Sequence, residues 1–177
     1  MKLLFVGATG AIGSEVLEQC LAHPAITSVV AFSRRELSSK ISSSPKLQVV
    51  IVKDFSEWPE GVLEAHVDAE AMVWCVLRSI PCPMTCIPLA NHVCRMMGAY
   101  NPGEAVHIDY PRTFQQSFLK VLKARPGGPK FRDIHLSGTF VVQDQDSTLW
   151  FMSAERKVKV GIYPKFPSTS LHVYECV

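Results

Sequence analysis

Residues 2–13 read KLLFVGATGAIG, and this stretch decides the fold. An apolar run, Leu3–Val6, stops at Gly7, and Gly10 and Gly13 follow at intervals of three residues. Apolar residues then recur with the period of an α-helix, which predicts one buried face made of Ile12, Val16, Leu17, Cys20 and Leu21. A buried strand, a glycine turn and a helix in this order are typical of a dinucleotide-binding site, although an ordinary strand–turn–helix has the same pattern.

Each glycine of this motif has its own physical reason. Gly7 permits a tight turn off the strand, Gly10 puts no side chain between the backbone and a pyrophosphate, and Gly13 lets the helix pack close to the sheet. Backbone N–H groups at the start of the helix, together with its dipole, then hold the phosphates. The residues expected to bind a cofactor here are Gly7, Thr9, Gly10, Ala11, Ile12 and Gly13.

Composition limits the class of protein. The chain has 177 residues, of which 47% are hydrophobic, so it can bury one sizeable core, and a single domain is expected. A net charge of +2 does not favour nucleic acid or a membrane surface as a partner, and no stretch is long enough to cross a bilayer. The apolar run Leu3–Val6 is too short for the core of a signal peptide, so we expect a cytoplasmic protein whose six cysteines are free thiols.

Beyond the first helix, predicted strands and helices alternate. The predicted strands are Ser28–Ser33, Leu47–Val52, Ala71–Leu77 and Phe131–Ser137, and the predicted helices are Glu60–His66, Glu104–Ala124 and Leu149–Lys159. This alternation predicts an α/β fold, a doubly wound parallel sheet with helices on both faces. Three segments have no predicted element, namely the serine-rich loop Ser38–Ser44, the irregular stretch 78–102 and the tail 160–177. Trp74 and Trp150 are expected in the core.

The end of the second strand indicates which cofactor is bound. In a dinucleotide-binding fold this point meets the adenosine ribose, where an acidic residue favours NAD. Here Arg34 and Arg35 follow Ser33, and a guanidinium matches a 2′-phosphate, so NADP is favoured over NAD. Two arginines after a strand are also typical of a solvated loop. Asp54 and Phe55, after the third strand, are candidates to bracket the adenine edge, and they are equally ordinary strand-end residues.

Several short pieces resemble the short-chain dehydrogenase/reductase superfamily in its atypical or extended branch. The resemblance is closest to small fungal NAD(P)-binding proteins related to nucleoside-diphosphate-sugar epimerases. It rests on Phe5–Gly13, Ser33–Arg35, Asp54–Phe55, Val73–Cys75, Val106–Tyr110, Leu136–Gly138 and Leu149–Lys159. It implies a Rossmann-type NAD(P)-binding domain over residues 1–159, with an irregular insertion at 78–102 and a divergent C-terminal tail at 160–177. The tail does not resemble the sixth strand and substrate-binding part into which the family continues.

The resemblance also implies a hydride-transfer site. In the family a serine polarises the substrate carbonyl, a tyrosine donates the proton, and a lysine four residues later lowers the tyrosine pKa. Ser137 and Lys159 match the serine and the lysine, whereas Glu155 stands where the tyrosine is expected, as a candidate acid or as part of a solvated helix face. No tyrosine of this chain has a lysine four residues after it.

The functions that follow differ in class. The first is an NADP-dependent oxidoreductase acting on a small carbonyl or alcohol, which the resemblance places in fungal secondary metabolism. The alternatives are a non-catalytic NADP-binding regulatory protein, favoured by the missing tyrosine, and a truncated inactive product. No metal is expected, because Cys82, Cys86, His92 and Cys94 have the spacing of no zinc framework. The sequence does not indicate the substrate or the oligomeric state.

Overall fold

The computed structural model describes residues 1–75, 109–123, 131–136, 148, 150 and 171–176, the last range by its backbone alone. The strands are β1 (Lys2–Val6), β2 (Ser28–Ser33), β3 (Leu47–Ile51), β4 (Ala71–Trp74), β5 (Phe131–Leu136) and β6 (Leu171–Cys176). The helices within these residues are α1 (Ala11–Ala22), α2 (Ser39–Ser42), α3 (Glu60–Glu64) and α4 (Asp109–Lys123).

The strands form one sheet in the order β3-β2-β1-β4-β5-β6. Strands β1 to β5 are parallel, and Val6 of β1 is in register with Phe32 on one side and Trp74 on the other. The chain winds outward from β1 through β2 to β3 and then returns to start β4 on the other side of β1. This reversal creates a crevice at the carboxyl ends of β1 and β4, where ligands bind in open α/β sheets.

Two apolar layers cover the sheet, one on each face. Alternate residues of β1 point in opposite directions, so Leu4 and Val6 join one core cluster and Leu3 and Phe5 join the other. The first cluster is covered by residues of α3 and α4, and the second is covered by α1. The central strands are buried on both sides because helices pack on both faces, which confirms the predicted doubly wound α/β fold.

Local predictions differ from the structure at a few points. The predicted loop Ser38–Ser44 contains the single turn α2, in which the Ser42 hydroxyl donates to the Ser38 carbonyl oxygen at 3.0 Å. Ile12 is 39% exposed and lies off the buried face of α1, where Leu17 is fully buried. The prediction of a core position holds for Trp74 and is wrong for Trp150, which is 96% exposed.

The sequence pattern predicts no element in the tail 160–177, whereas the structure has a strand near its end. Residues 171–176 form β6, which pairs antiparallel with the whole of β5, from Phe131↔Cys176 to Leu136↔Leu171. An antiparallel edge strand on an otherwise parallel sheet is common. The stretch is short and follows Pro164 and Pro167, so its local sequence gives little indication of a strand. Its strand conformation is stabilised by pairing with residues 35 to 45 positions earlier in the chain. The irregular stretch 78–102 lies outside the described residues, as does nearly all of the predicted helix Leu149–Lys159.

Candidate functional site

A cavity of about 430 Å³ opens at the carboxyl ends of β1, β2 and β4. Its volume is in the range of small-molecule sites, about 300–1,000 Å³. It lies at the point where the strand order reverses, which is the expected ligand position in this topology. The cavity is lined by Gly7, Ala8, Thr9, Gly10, Phe32, Ser33, Arg34, Arg35, Phe55, Cys75 and Tyr110.

Two glycines of the turn after β1 are required by the fold itself. Gly7 has φ 100°, a left-handed conformation that side chains rarely adopt. A Cβ on Gly13 would lie 2.0 Å from the carbonyl oxygen of Gly7 and 2.8 Å from its carbonyl carbon. Helix α1 therefore touches the end of β1 at Gly13 backbone to backbone, and only glycine leaves room for this contact.

Gly10 differs from its two neighbours in the motif. Its φ of −81° and ψ of 157° are extended values that any residue adopts, and it is the N-cap of α1. Of the atoms in the described segments, a Cβ there would meet one within 4 Å, the Gly7 carbonyl oxygen at 3.4 Å, which is an ordinary contact. The fold does not require glycine at this position, and a side chain would extend into the open space that Gly10 borders.

The N-terminus of α1 faces this space with its backbone donors. The N–H of Ser14 donates the first intrahelical hydrogen bond, to the Gly10 carbonyl oxygen at 2.8 Å. The N–H groups of the three preceding residues therefore have no acceptor within the helix. Among the described residues no side chain caps the helix, and its first turn contains no acidic residue. These donors and the positive end of the helix dipole favour an anion. Ala11 and Ile12 contribute N–H groups here, although their side chains do not line the cavity.

A buried serine fixes the turn that carries the two arginines. The Ser33 hydroxyl donates to the Arg35 carbonyl oxygen at 2.6 Å and accepts from the Arg35 N–H at 3.3 Å. Arg34 and Arg35 are exposed and line the cavity. Within the described part of the chain, neither guanidinium forms an ion pair. The turn therefore presents two positive charges beside the cavity that no described carboxylate neutralises.

Aromatic residues form the opposite wall. Phe55 stacks on Trp58 with ring centroids 5.5 Å apart, and the edge of its ring meets Tyr110 at 6.1 Å and 72°. The Trp58 indole Nε1–H donates to the Phe55 carbonyl oxygen at 3.0 Å, which fixes the loop after β3. Tyr110 comes from the first turn of α4 and is half-buried. This wall is mainly apolar, with one phenol hydroxyl.

Asp54 and Cys75 have other roles than binding charge. Asp54 does not line the cavity; its carboxylate accepts the Ser56 N–H at 2.8 Å, and hydrogen bonds from the Ser56 backbone and side chain hold the pKa of Asp54 below its usual value. Cys75 lines the cavity after β4. Burial, with a smaller effect of the neighbouring Cys20 thiol, raises the pKa of Cys75 to about 12. Cys75 is therefore a protonated, apolar part of the wall and a poor nucleophile at neutral pH.

The structure brings most of the predicted cofactor residues together. Gly7, Thr9, Gly10, Arg34, Arg35 and Phe55 share the cavity, while Gly13 supports it from beneath. Sequence reasoning assigned no role to Phe32, Cys75 or Tyr110, although Tyr110 ends the piece Val106–Tyr110 used for the family resemblance. The three predicted catalytic residues, Ser137, Glu155 and Lys159, lie outside the described residues.

Two further observations concern metals and membranes. The cysteine and histidine group at 82–94 lies outside the described residues, and within those residues no group of three or more His, Cys, Asp or Glu side chains is arranged to hold a metal ion. Of the helices in the described segments, none is both long and apolar enough to span a bilayer.

Comparison by sequence gives short matches to fungal proteins. No protein-family profile matches the chain. A protein of Aspergillus terreus named Protein fmp52-1, mitochondrial, is 36% identical over 57 residues, which are 32% of this chain and 25% of that protein. The protein of the same name from Aspergillus oryzae is 36% identical over 53 residues, or 30% of this chain and 23% of that protein. The matched stretch therefore spans about a quarter of these curated relatives.

Comparison by structure gives broader matches at low identity. The structure of Gre2 from Candida albicans in complex with NADPH has a TM-score of 0.56 and 15% identity, covering 93% of this chain and 51% of that one. A double mutant of DesIV, a dTDP-glucose 4,6-dehydratase from Streptomyces venezuelae with NAD and DAU bound, has a TM-score of 0.51 and 18% identity, covering 92% and 49%. This chain spans about half of each structure. These likenesses establish the Rossmann fold.

Proposed function

We propose that this protein binds NADP(H) across the carboxyl ends of β1 and β2 and acts as an NADP-dependent oxidoreductase of the short-chain dehydrogenase/reductase type. The observation that carries the proposal is Gly10. The backbone angles there suit a side chain and an added Cβ would make only an ordinary contact, yet the position borders the cavity and the N-terminus of α1 with no side chain. Close approach of a pyrophosphate to the backbone would explain why this position is glycine, because the contacts within the described chain do not.

Each part of the nucleotide has a matching surface. The pyrophosphate lies on the free N–H groups at the start of α1. The adenosine 2′-phosphate lies against Arg34 and Arg35, whose guanidinium groups match phosphate geometry and have no described acidic partner. The base lies against the flat ring of Phe55, whose orientation is fixed by its contact with Trp58. The two neighbouring structures contain NADPH in one case and NAD in the other, so the preference for NADP rests on the arginines.

The reaction is the finer part of the proposal. Bound NADPH supplies a hydride, and the substrate is a small carbonyl, or an alcohol in the reverse direction. Ser137 is proposed to hold the carbonyl oxygen, Lys159 to hold the nicotinamide ribose, and Glu155 to act as the acid. The absence of a tyrosine four residues before a lysine favours a second function, a non-catalytic NADP-binding regulatory protein. A role in fungal secondary metabolism remains a proposal from the resemblance.

A titration of NADPH and NADH into the purified protein, followed by nucleotide fluorescence, tests the binding. We expect NADPH to bind more tightly than NADH. A charge-assisted hydrogen bond to a phosphate contributes about 1.5–3 kcal/mol, so Arg34→Ala should weaken NADPH binding about tenfold or more and leave NADH nearly unchanged. Arg132→Ala is the matched control, because Arg132 is exposed near the amino end of β5, whereas the cavity lies at the carboxyl ends of the strands, and this variant should bind NADPH as the wild type does.

The outcomes separate the two functions. Failure of the folded protein to bind either nucleotide would refute the proposal. Binding with NADPH consumption against a panel of small aldehydes and ketones supports the enzyme, and binding without consumption supports the regulatory protein. The predicted cytoplasmic location is tested by imaging a tagged protein in a fungal cell, because the curated relatives are named mitochondrial.

A further inference from the structure

A buried polar contact joins helix α4 to strand β5. Asp133, the third residue of β5, is 1% exposed. Its Oδ2 accepts a hydrogen bond from the Gln115 side-chain Nε2 on α4 and lies 3.1 Å from Nε2 of His135. A buried carboxylate is costly unless it is hydrogen-bonded, so this contact needs a reason beyond burial of apolar surface.

Apolar and polar contacts together hold α4 on the sheet. Phe114 stacks on Phe118 at 5.3 Å, and Phe118 meets Phe131 of β5 at 4.8 Å. These ring contacts hold the helix through buried apolar area. The bond from Gln115 to Asp133 is directional and holds over a few tenths of an ångström, so it adds a polar fixed point between α4 and β5.

The position of α4 matters because the helix begins at the cavity. Tyr110 precedes Gln115 by five residues, about 7.5 Å along the helix axis. The Tyr110 ring lines the cavity and meets Phe55 at 6.1 Å. If α4 slid along its axis by the rise of one residue, about 1.5 Å, the phenol ring of Tyr110 would move by the same distance. Such a movement is large enough to disturb its contact with Phe55.

We propose that Gln115 and Asp133 are positioning residues of the cavity, which hold Tyr110 against Phe55 by fixing α4 on β5. The nucleotide readout of this proposal rests on the proposed function. Gln115 and Asp133 do not line the cavity, so any effect they have on ligand affinity is transmitted by the residues between them and the cavity.

The experiment compares Gln115→Met with the matched control Gln116→Met. Gln116 is the next residue of the same helix and is exposed, so its substitution changes composition equally without touching Asp133. We expect Gln115→Met to weaken NADPH binding about five- to tenfold and Gln116→Met to leave it unchanged. In a Tyr110→Ala background Gln115→Met should no longer change NADPH affinity, because the phenol ring that Gln115 helps to position has been removed.

A double variant separates positioning from stability. Gln115→Met with Asp133→Leu removes the buried carboxylate together with its Gln115 donor, so no carboxylate is left without that donor, while His135 loses its contact with Oδ2. Urea unfolding measures the stability of this double variant, and positioning predicts that NADPH binding stays weak in it even where stability is regained. Recovery of wild-type affinity together with stability would overturn the proposal, as would an equal effect of Gln115→Met with and without Tyr110.

A measurement without nucleotide tests the positioning role of Gln115 and Asp133 independently of nucleotide binding. Nitration of Tyr110 by tetranitromethane, located by peptide mass spectrometry, reports how well the ring is held. We expect several-fold faster nitration in Gln115→Met and in the double variant, and the wild-type rate in Gln116→Met. If the wild type binds neither nucleotide, the proposed function fails alone, and unchanged nitration of Tyr110 in both Gln115 variants would overturn the positioning role.

Discussion

Replacement of Gly13 by alanine tests the close contact between α1 and β1. The added Cβ would lie 2.0 Å from the Gly7 carbonyl oxygen, whereas real Cβ contacts essentially never fall under 3.0 Å. The helix or the turn must therefore move by about 1 Å, and the obstructing atoms are backbone atoms that cannot rotate away. Overpacking of a well-packed core costs about 1–3 kcal/mol, and an immovable backbone places Gly13→Ala at the upper end, about 3 kcal/mol.

Gly61→Ala provides the matched control. Gly61 is also a helical glycine, in α3, but a Cβ there would meet no atom within 4 Å in the part of the chain that the structure describes. Alanine is favoured over glycine in a helix by about 1 kcal/mol, so this variant should be as stable as the wild type or slightly more stable. Equilibrium urea unfolding followed by circular dichroism measures both. A Gly13→Ala variant within about 0.5 kcal/mol of the wild type would refute the reasoning.

Two further predictions concern buried titratable groups. Burial, and then the charge of Lys2, lower the pKa of His66, so between the lowered value and about 6.5 the unfolded chain binds a proton that the folded chain does not. Stability should therefore fall as the pH drops from 7.5 to 5.5, and His66→Leu should flatten this slope in urea unfolding; an unchanged slope would contradict the assignment. With a pKa of about 12 against an ordinary value of 9.0, the Cys75 thiolate at pH 8 is about a thousandfold scarcer than in the unfolded chain. Iodoacetamide should accordingly alkylate Cys75 very slowly in the native protein, as read by peptide mass spectrometry, and labelling at the rate of the unfolded chain would show that the thiol is not buried.

The parts of the site that sequence alone predicts are those set by local chemistry. The glycine spacing gave the turn after β1 because a positive φ at Gly7 and a backbone contact at Gly13 exclude other residues. The arginines after β2 were predictable in the same way, since they directly follow a buried strand whose end faces the crevice. These features involve neighbours within a few residues of one another.

The parts that sequence missed depend on contacts between distant segments. Tyr110 reaches the cavity only because α4 packs on the sheet beside Phe55, 55 residues earlier. From the sequence alone, Asp133 could equally lie on the exposed face of its strand, because polar residues usually do. It is buried, and its partner Gln115 lies on another element. Strand β6 forms by pairing with β5, which lies far away in the sequence. The pattern of its own six residues therefore did not predict that it joins the sheet.

The central claim is that a nicotinamide nucleotide lies on the glycine turn and the arginine turn. Chemical-shift mapping of the 15N-labelled protein, titrated with NADPH, tests it most directly. The account predicts the largest amide shifts at Ala11 and Ile12, where the pyrophosphate meets the free N–H groups, and a second group at Arg34 and Arg35 that NADH does not reproduce. Shifts concentrated away from these two turns, or no shifts at saturating NADPH, would contradict it.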